Sequence, residues 1–330
     1  MTQAALDVVG IGNAIVDVIS HADDDFLRSN GIEKGAMTLI DAGRAEELYG
    51  RMGPGIEMSG GSAGNTMAGI ASLGGRGAYV GKVRDDQLGE VFRHDIRAVG
   101  VRFDTPASTS GAPTARCLIL VTPDAQRSMN TFLGACVELG PEDIDPGLIQ
   151  SAQVTYMEGY LFDPPRAKEA FRKAADLAHA AGRKVSLTLS DSFCVGRHRA
   201  EFADLVDRRV DVLFGNEHEI MSLYEVEDFD AAVAAVRGRC EVAVLTRSEK
   251  GSVVVTRDEV RAVPAEPIAR LVDTTGAGDL FAAGFLHGYT QGRDLATCAR
   301  IGAVAAAEII SHVGARPEVA LADLVRQRLG

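Results

Sequence analysis

Val272-Asp-Thr-Thr-Gly-Ala-Gly-Asp-Leu-Phe-Ala-Ala-Gly-Phe285 places a turn of small residues, Gly276-Ala277-Gly278, directly before an Ala/Phe/Leu run with helical spacing. Several backbone N–H groups converge where such a helix begins, and the helix dipole adds to their pull on an anion. Asp279 follows at once, placed to take a proton from a bound hydroxyl. An anion cradle beside a carboxylate base suggests phosphoryl transfer. The same letters also fit a buried helix that Asp279 merely caps, so the surrounding chain has to decide.

Working back from this stretch, a β-hairpin at 251–256 and 259–263 precedes it, and the C-terminal third is helical at 277–289, 295–311 and 317–328. From residue 153 onward, apolar strands at 154–158, 184–189, 210–214 and 242–246 alternate with helices at 165–181, 199–208 and 228–237. This βαβ rhythm predicts an α/β fold with a doubly wound, mostly parallel sheet flanked by helices. Near the N-terminus, the apolar run 6–12 ends in Gly-Ile-Gly, but Ile15 stands where a dinucleotide-binding turn needs its third glycine. A dehydrogenase is therefore disfavoured.

Residues 14–20 alternate as a strand that carries Asp17, and 36–40 read as another, with a helix at 44–51. The Gly-rich turn 59–65 leads into a helix at 66–73, followed by a strand at 76–83 and a helix at 87–99. Two alternating runs, 114–121 and 128–133, flank a polar hairpin turn at 122–127. No helix separates these runs, so with the 14–20 and 36–40 strands they are expected to form a small separate sheet, a lid built from segments near 13–42 and 112–135. Residues 1–330 then make a single domain with this lid.

The formal net charge is −12, with acidic residues spread along the 330-residue chain, which argues against a nucleic-acid or anionic-membrane surface. Five widely spaced cysteines without a CxxC pair are expected to be free thiols in a reducing compartment. No stretch of about 18 uncharged apolar residues occurs, and a cytoplasmic protein is expected.

Candidate ligand groups stand at strand and helix ends. Asn13 and Asp17 flank one position and Gly61, Ser62 and Asn65 another; carboxylate and amide together suit a vicinal diol. Asp17 also fits an ordinary surface acid. Asn216 and Glu219 lie three apart in a helical first turn, where they can meet Mg²⁺ through water or simply cap the helix. Thr246, Ser248 and Gly251 form a polar turn suited to phosphate or ribose, or to nothing more than a hairpin. Arg127 is either a solvated turn residue or a lid guanidinium that closes onto charge.

Residues 60–83 and 272–285 resemble the two signatures of the ribokinase-type, or pfkB, family of sugar and nucleoside kinases, and Asn216-x-x-Glu219 is similar to its magnesium and phosphate motif. Residues 9–17, 185–193, 210–219 and 300–310 resemble the adenosine kinase branch of that family. The resemblance implies a ribokinase-like fold and an ATP-dependent kinase acting on a primary hydroxyl, of adenosine first and of a sugar such as ribose, fructose or a keto-deoxy sugar acid second. A non-catalytic sensor on the same fold is a rival that the intact Gly-Ala-Gly-Asp disfavours.

By the same resemblance, Asp279 is the base, Gly276, Ala277 and Gly278 the anion hole, and Arg127 a phosphate ligand from the lid. Asn13, Asp17, Gly61, Ser62 and Asn65 hold the sugar hydroxyls, with Tyr160 and Phe193 near a base. Asn216, Thr246, Ser248, Gly251 and Thr274 lie along the nucleotide, and Glu219 serves Mg²⁺. Many members of the family also use a monovalent cation such as K⁺, and both monomers and lid-paired homodimers resemble this chain. Two departures stand out: Ser248 occupies a place where the family usually has glycine, and Thr275 replaces an Asn common among adenosine kinases.

Overall fold

The structure, a computed structural model, describes residues 4–124 and 126–330. In chain order the first half contains β1 (Leu6–Ile11), β2 (Ile15–His21), α1 (Asp24–Ser29), β3 (Met37–Leu39), α2 (Ala42–Arg51), β4 (Gly55–Gly60), α3 (Ser62–Ser72), β5 (Gly77–Val80), α4 (Gln87–Ala98), β6 (Arg102–Phe103), β7 (Ala115–Val121), β8 (Arg127–Phe132) and α5 (Pro146–Ser151). The second half adds β9 (Ala152–Glu158), α6 (Pro165–Ala180), β10 (Lys184–Thr188), α7 (Ser192–Arg209), β11 (Val212–Asn216), α8 (Glu217–Tyr224), α9 (Phe229–Val236), β12 (Val242–Thr246), β13 (Ser252–Val255), β14 (Val260–Val263), α10 (Ala277–Thr290), α11 (Leu295–Ile309) and α12 (Leu321–Leu329). Part of the acidic charge has a local use. Asp23, Asp41, Asp86, Asp145, Asp191, Asp228 and Asp294 each accept a backbone N–H at a helix start, which satisfies orphan donors there.

Nine strands form the main sheet in the order β14-β13-β12-β11-β10-β9-β1-β5-β6, parallel except for the pairings of β13 with β12 and β14. Alternate residues of its buried strands feed two cores. Val9, Ile11, Met157 and Leu213 face Phe171 and Phe202 of α6 and α7, whereas Val8, Tyr156, Phe214 and Val244 face Met67, Phe281 and Phe285 of α3 and α10. The sheet is thus covered on both sides, as its long apolar strands require. Strand order reverses at β1, which has β5 on one side and β9 on the other. Ligands of such sheets bind outside the carboxyl ends of the strands at that switch point, here the ends at Ile11 and Glu158.

The expected lid is present as a second sheet, β3-β8-β7-β2-β4. Its membership corrects the expectation in one respect: β4, between the two predicted segments, pairs antiparallel with β2 from Ile15–Gly60 to Ser20–Gly55. The polar turn also differs from its sequence reading. Thr122 N–H donates to Gln126 O at 3.0 Å, Arg127 already belongs to β8, and Ala125 within the turn lies outside the described residues. Val16, Val18 and Leu118 on one lid face join the core that contains Met67 and Phe285, with Leu48 of α2 packed beside them. The helix α7 starts earlier than predicted and changes direction at His198, where φ is −123°.

Candidate active site

The site is built at the switch point by two helix N-termini that meet. Gly61 caps α3 with φ +83°, a conformation that costs glycine least, and a Cβ there would lie 2.2 Å from Asn13 O. Gly276 caps α10 at φ +79°. Asp279, in the first turn of α10, accepts a hydrogen bond from Ser62 Oγ at 2.6 Å and one from Asn65 Nδ2 at 3.1 Å, both from the first turn of α3. The residues 214 to 217 positions apart in sequence are therefore assembled around one carboxylate. Burial raises the Asp279 pKa, opposed by the Ser62 and Asn65 hydrogen bonds and by the Arg316 charge.

Beside it, Asn13 follows β1 and donates from its side chain to Glu158 Oε1 at 2.8 Å, while Glu158 Oε2 accepts the Ala63 N–H at 2.8 Å. Glu158, 1% exposed at the end of β9, locks the loop after β1 to the start of α3. Burial pushes its pKa up to about 7 despite these donors. Asn13 Oδ1 and Asn65 Oδ1 are buried acceptors without a partner among the described residues. Acceptors of this kind fit the hydroxyl donors of a polyol, since leaving them unpaired is costly.

The lid contributes Asp17 and Arg127. In the register, Asp17 stands opposite Met58 on β4 and Cys117 on β7, and Cys117 stands opposite Thr131 and then Leu39. The adjacent row on the same face is Ile56, Ile19, Ile119, Met129 and Met37. Desolvation raises the Asp17 pKa to about 6, with Arg316 and Arg127 acting the other way. Arg127 is not the solvated turn residue that one reading allowed. It is 9% exposed, and its guanidinium pairs with Asp273 of the motif loop at 3.0 Å, which ties lid to main sheet.

Gly276, Ala277 and Gly278, the expected anion hole, stand at the start of α10. Ala277 N–H is engaged by Thr274 O at 3.2 Å, and Gly278 faces open space, with no atom within 4 Å of a Cβ built there. Thr275 bonds to Asp273 Oδ1 through both its N–H and its hydroxyl, and Gly314 N–H binds Asp273 Oδ2. Further along the sheet, Asn216 and Glu219 form a reciprocal capping box. Asn216 Oδ1 accepts the His218 and Glu219 N–H groups, while the Glu219 carboxylate accepts Asn216 N–H at 3.0 Å and its side-chain amide at 2.6 Å. Burial raises the Glu219 pKa to about 7, and the Asp191 and Asp279 charges add to that.

Thr246 ends β12, and Gly251 adopts φ +85° where a Cβ would strike Val263 O. Ser248 sits at φ +50°, a left-handed conformation that residues other than glycine rarely adopt. Desolvation of its hydroxyl end raises the Tyr160 pKa, and the charges of Asp191, Asp279, Glu219 and Glu158 add to that, although the residue as a whole is 43% exposed; Phe193 at the start of α7 is 77% exposed. Among the described residues no cluster of three or more His, Cys, Asp and Glu side chains could hold a metal ion, and all five cysteines are free.

Two groups at this site, the buried Glu158 and the partly buried Arg316, escaped the sequence reading. Glu158 had a signal, an acid ending an apolar strand just before a glycine; Arg316 had none, because its importance rests on distant partners.

The sequence model of the pfkB family of carbohydrate kinases matches residues 41–320. Among solved structures, the adenosine kinase of Sinorhizobium meliloti is 58% identical, with a TM-score of 0.90 over 98% of this chain and 99% of that one. A probable sugar kinase of Rhizobium etli is 54% identical, with a TM-score of 0.91 over the same shares. The adenosine kinase of Saccharomyces cerevisiae is 26% identical across 93% of this chain and 95% of its own length. No described helix is long and apolar enough to cross a membrane. With the family matched over most of its length, this chain belongs to the pfkB family of carbohydrate kinases, phosphotransferases that act on an alcohol group of a sugar or nucleoside.

Proposed function

We propose that the protein is an ATP-dependent adenosine kinase that phosphorylates the primary hydroxyl of the ribose. The observation that carries adenosine over a simple sugar is the apolar lid face that shares its side with Asp17. Leu39 and Met37 are 59% and 52% exposed on it, in register with Cys117, Met129 and Ile119. A flat heteroaromatic base covers such a surface, whereas a sugar would leave it in contact with hydroxyls. Tyr160 and Phe193 offer rings at the carboxyl ends of β9 and β10, and the 58% identical relative bears the adenosine kinase name.

In this reading Asn13, Asp17, Gly61 and Asn65 hold the ribose hydroxyls and present the primary hydroxyl to Asp279. The carboxylate, aimed by Ser62 and Asn65, takes the proton as the oxygen attacks phosphorus. Burial favours that role, because it raises the proton affinity of Asp279. The N–H groups of Gly276 to Gly278 receive the charge of the transferred phosphoryl group, and Arg127 reaches it from the lid. Thr246, Ser248, Gly251, Thr274 and Asn216 lie along the nucleotide.

Mg²⁺, when bound, would supply charge neutralisation for the phosphates, with Asn216 and Glu219 the residues placed to meet it. Glu219 suits contact with its water shell rather than direct ligation, since Asn216 already occupies both of its carboxylate oxygens. An ADP-release panel of nucleosides and sugars with Mg²⁺, with and without K⁺, tests the reading. Adenosine is expected to exceed ribose and fructose in kcat/KM by about 100-fold or more; ribose or fructose turning over best would assign the protein to sugars instead.

A further inference from the structure

Arg316 follows the loop that leaves α11, immediately after Ala315, which packs against the Gly276 cap of α10. Its guanidinium donates to three acceptors on two other segments: Gly64 O in the first turn of α3 at 2.9 Å, and Ser59 Oγ at 2.9 Å together with Ser59 O at the end of β4. Ser59 in turn donates through its N–H, at 2.8 Å, and its hydroxyl to Asp95 of α4. One side chain thus joins the lid strand, the helix that carries Ser62 and Asn65, and the loop that supports the anion hole.

Among the described residues no carboxylate contacts this guanidinium directly; its three partners are two carbonyls and a hydroxyl. The carboxylates whose fields reach it are Asp95 on α4, Asp17 on β2 and Asp279 on α10, with the Tyr79 hydroxyl on β5. A positive charge desolvated here therefore acts on both Asp17 and Asp279 without being neutralised by either. Around Asp279 stand Ser62, Asn65 and Arg316 on one side, and Glu158, Tyr156, Tyr160 and Glu219 within range of its charge.

We infer that Arg316 is a positioning residue for phosphoryl transfer, which fixes the α3 first turn against Asp279 by its fork of hydrogen bonds and places a positive charge in reach of both Asp17 and Asp279. This rests on Asp279 being the base. The planar fork and the charge are separable by substitution, because lysine keeps the charge and loses the fork.

The test compares Arg316→Met, Arg316→Lys and Ser59→Ala with the wild-type enzyme in steady-state ADP release across pH 5–9. Arg316→Met is expected to lower kcat about tenfold or more and to move the acid limb of its pH profile upward by about one unit. Arg316→Lys should return the limb to the wild-type position while recovering only part of kcat. Ser59→Ala, a milder change if the Met variant does not fold, should lower kcat several-fold with little change in KM for ATP. A role confined to stability would lower Tm and leave both kcat and the acid limb in place. That result, equal limb shifts in the Met and Lys variants, or wild-type kcat in Ser59→Ala would overturn the inference. Loss of turnover in Asp279→Asn together with a wild-type Arg316→Met overturns the Arg316 role alone, whereas full turnover in Asp279→Asn removes the base itself.

Discussion

Asp17 and Glu158 illustrate two ways to use an acid that the fold desolvates. Asp17 comes from the lid and shares its face with an apolar row, whereas Glu158 faces inward and spends its oxygens on Asn13 and Ala63. In the proposed reading Asp17→Ala is expected to raise KM for the nucleoside by about tenfold or more, with a smaller effect on kcat, because it would remove a ligand of the bound hydroxyls and leave the reacting centre intact. An unchanged KM would take Asp17 out of the site. The two acids were not equally legible. Asp17 stood out as a charge inside an alternating strand, while Glu158 read as the end of a buried one. Arg316 was silent because its neighbours, Ser59 and Gly64, lie about 250 positions away in sequence and come near only through the fold.

The βαβ half of the chain was the easiest to read, since each strand is a short apolar run and each helix has its own period. The missed strand β4 explains itself physically. Gly55 and Gly60 bound it, its interior has a single β-branched residue, and its pairing energy comes from β2, which local propensity does not report. Where helices meet, small residues set the spacing. A Cβ on Gly284 of α10 would come within 2.7 Å of the Gly302 backbone of α11, so Gly284→Val should destabilise the protein by about 1–3 kcal/mol in urea unfolding; an unchanged midpoint would mean that the two helices separate freely. In the lid, Leu39→Ser is expected to raise KM for adenosine about tenfold while sparing ATP, and an unchanged KM would show that β3 does not cover the base.

Taken together, the desolvated acids give the molecule a pH signature. The folded pKa of Glu158 and that of Glu219 are about 7, and that of Asp17 about 6, against ordinary values of 4.5 and 3.8. Between those limits these three groups hold more protons in the folded chain than in the unfolded one, so their contribution to stability falls as pH rises from about 4 to about 7 and then levels off, with His287, whose pKa burial lowers, acting the other way. The unliganded protein should accordingly have a lower Tm at pH 8 than at pH 5.5, and Glu158→Gln should shrink that difference; a Tm that rises over this interval would show these carboxylates to be ionised at little cost. Everything converges on Asp279, where the lid, two helix N-termini and the switch point of the sheet meet. The most direct test is ADP release with adenosine by Asp279→Asn: kcat should fall by a factor on the order of 10² to 10⁴ with KM for ATP nearly unchanged, and near-normal turnover would contradict the assignment of Asp279 as the base.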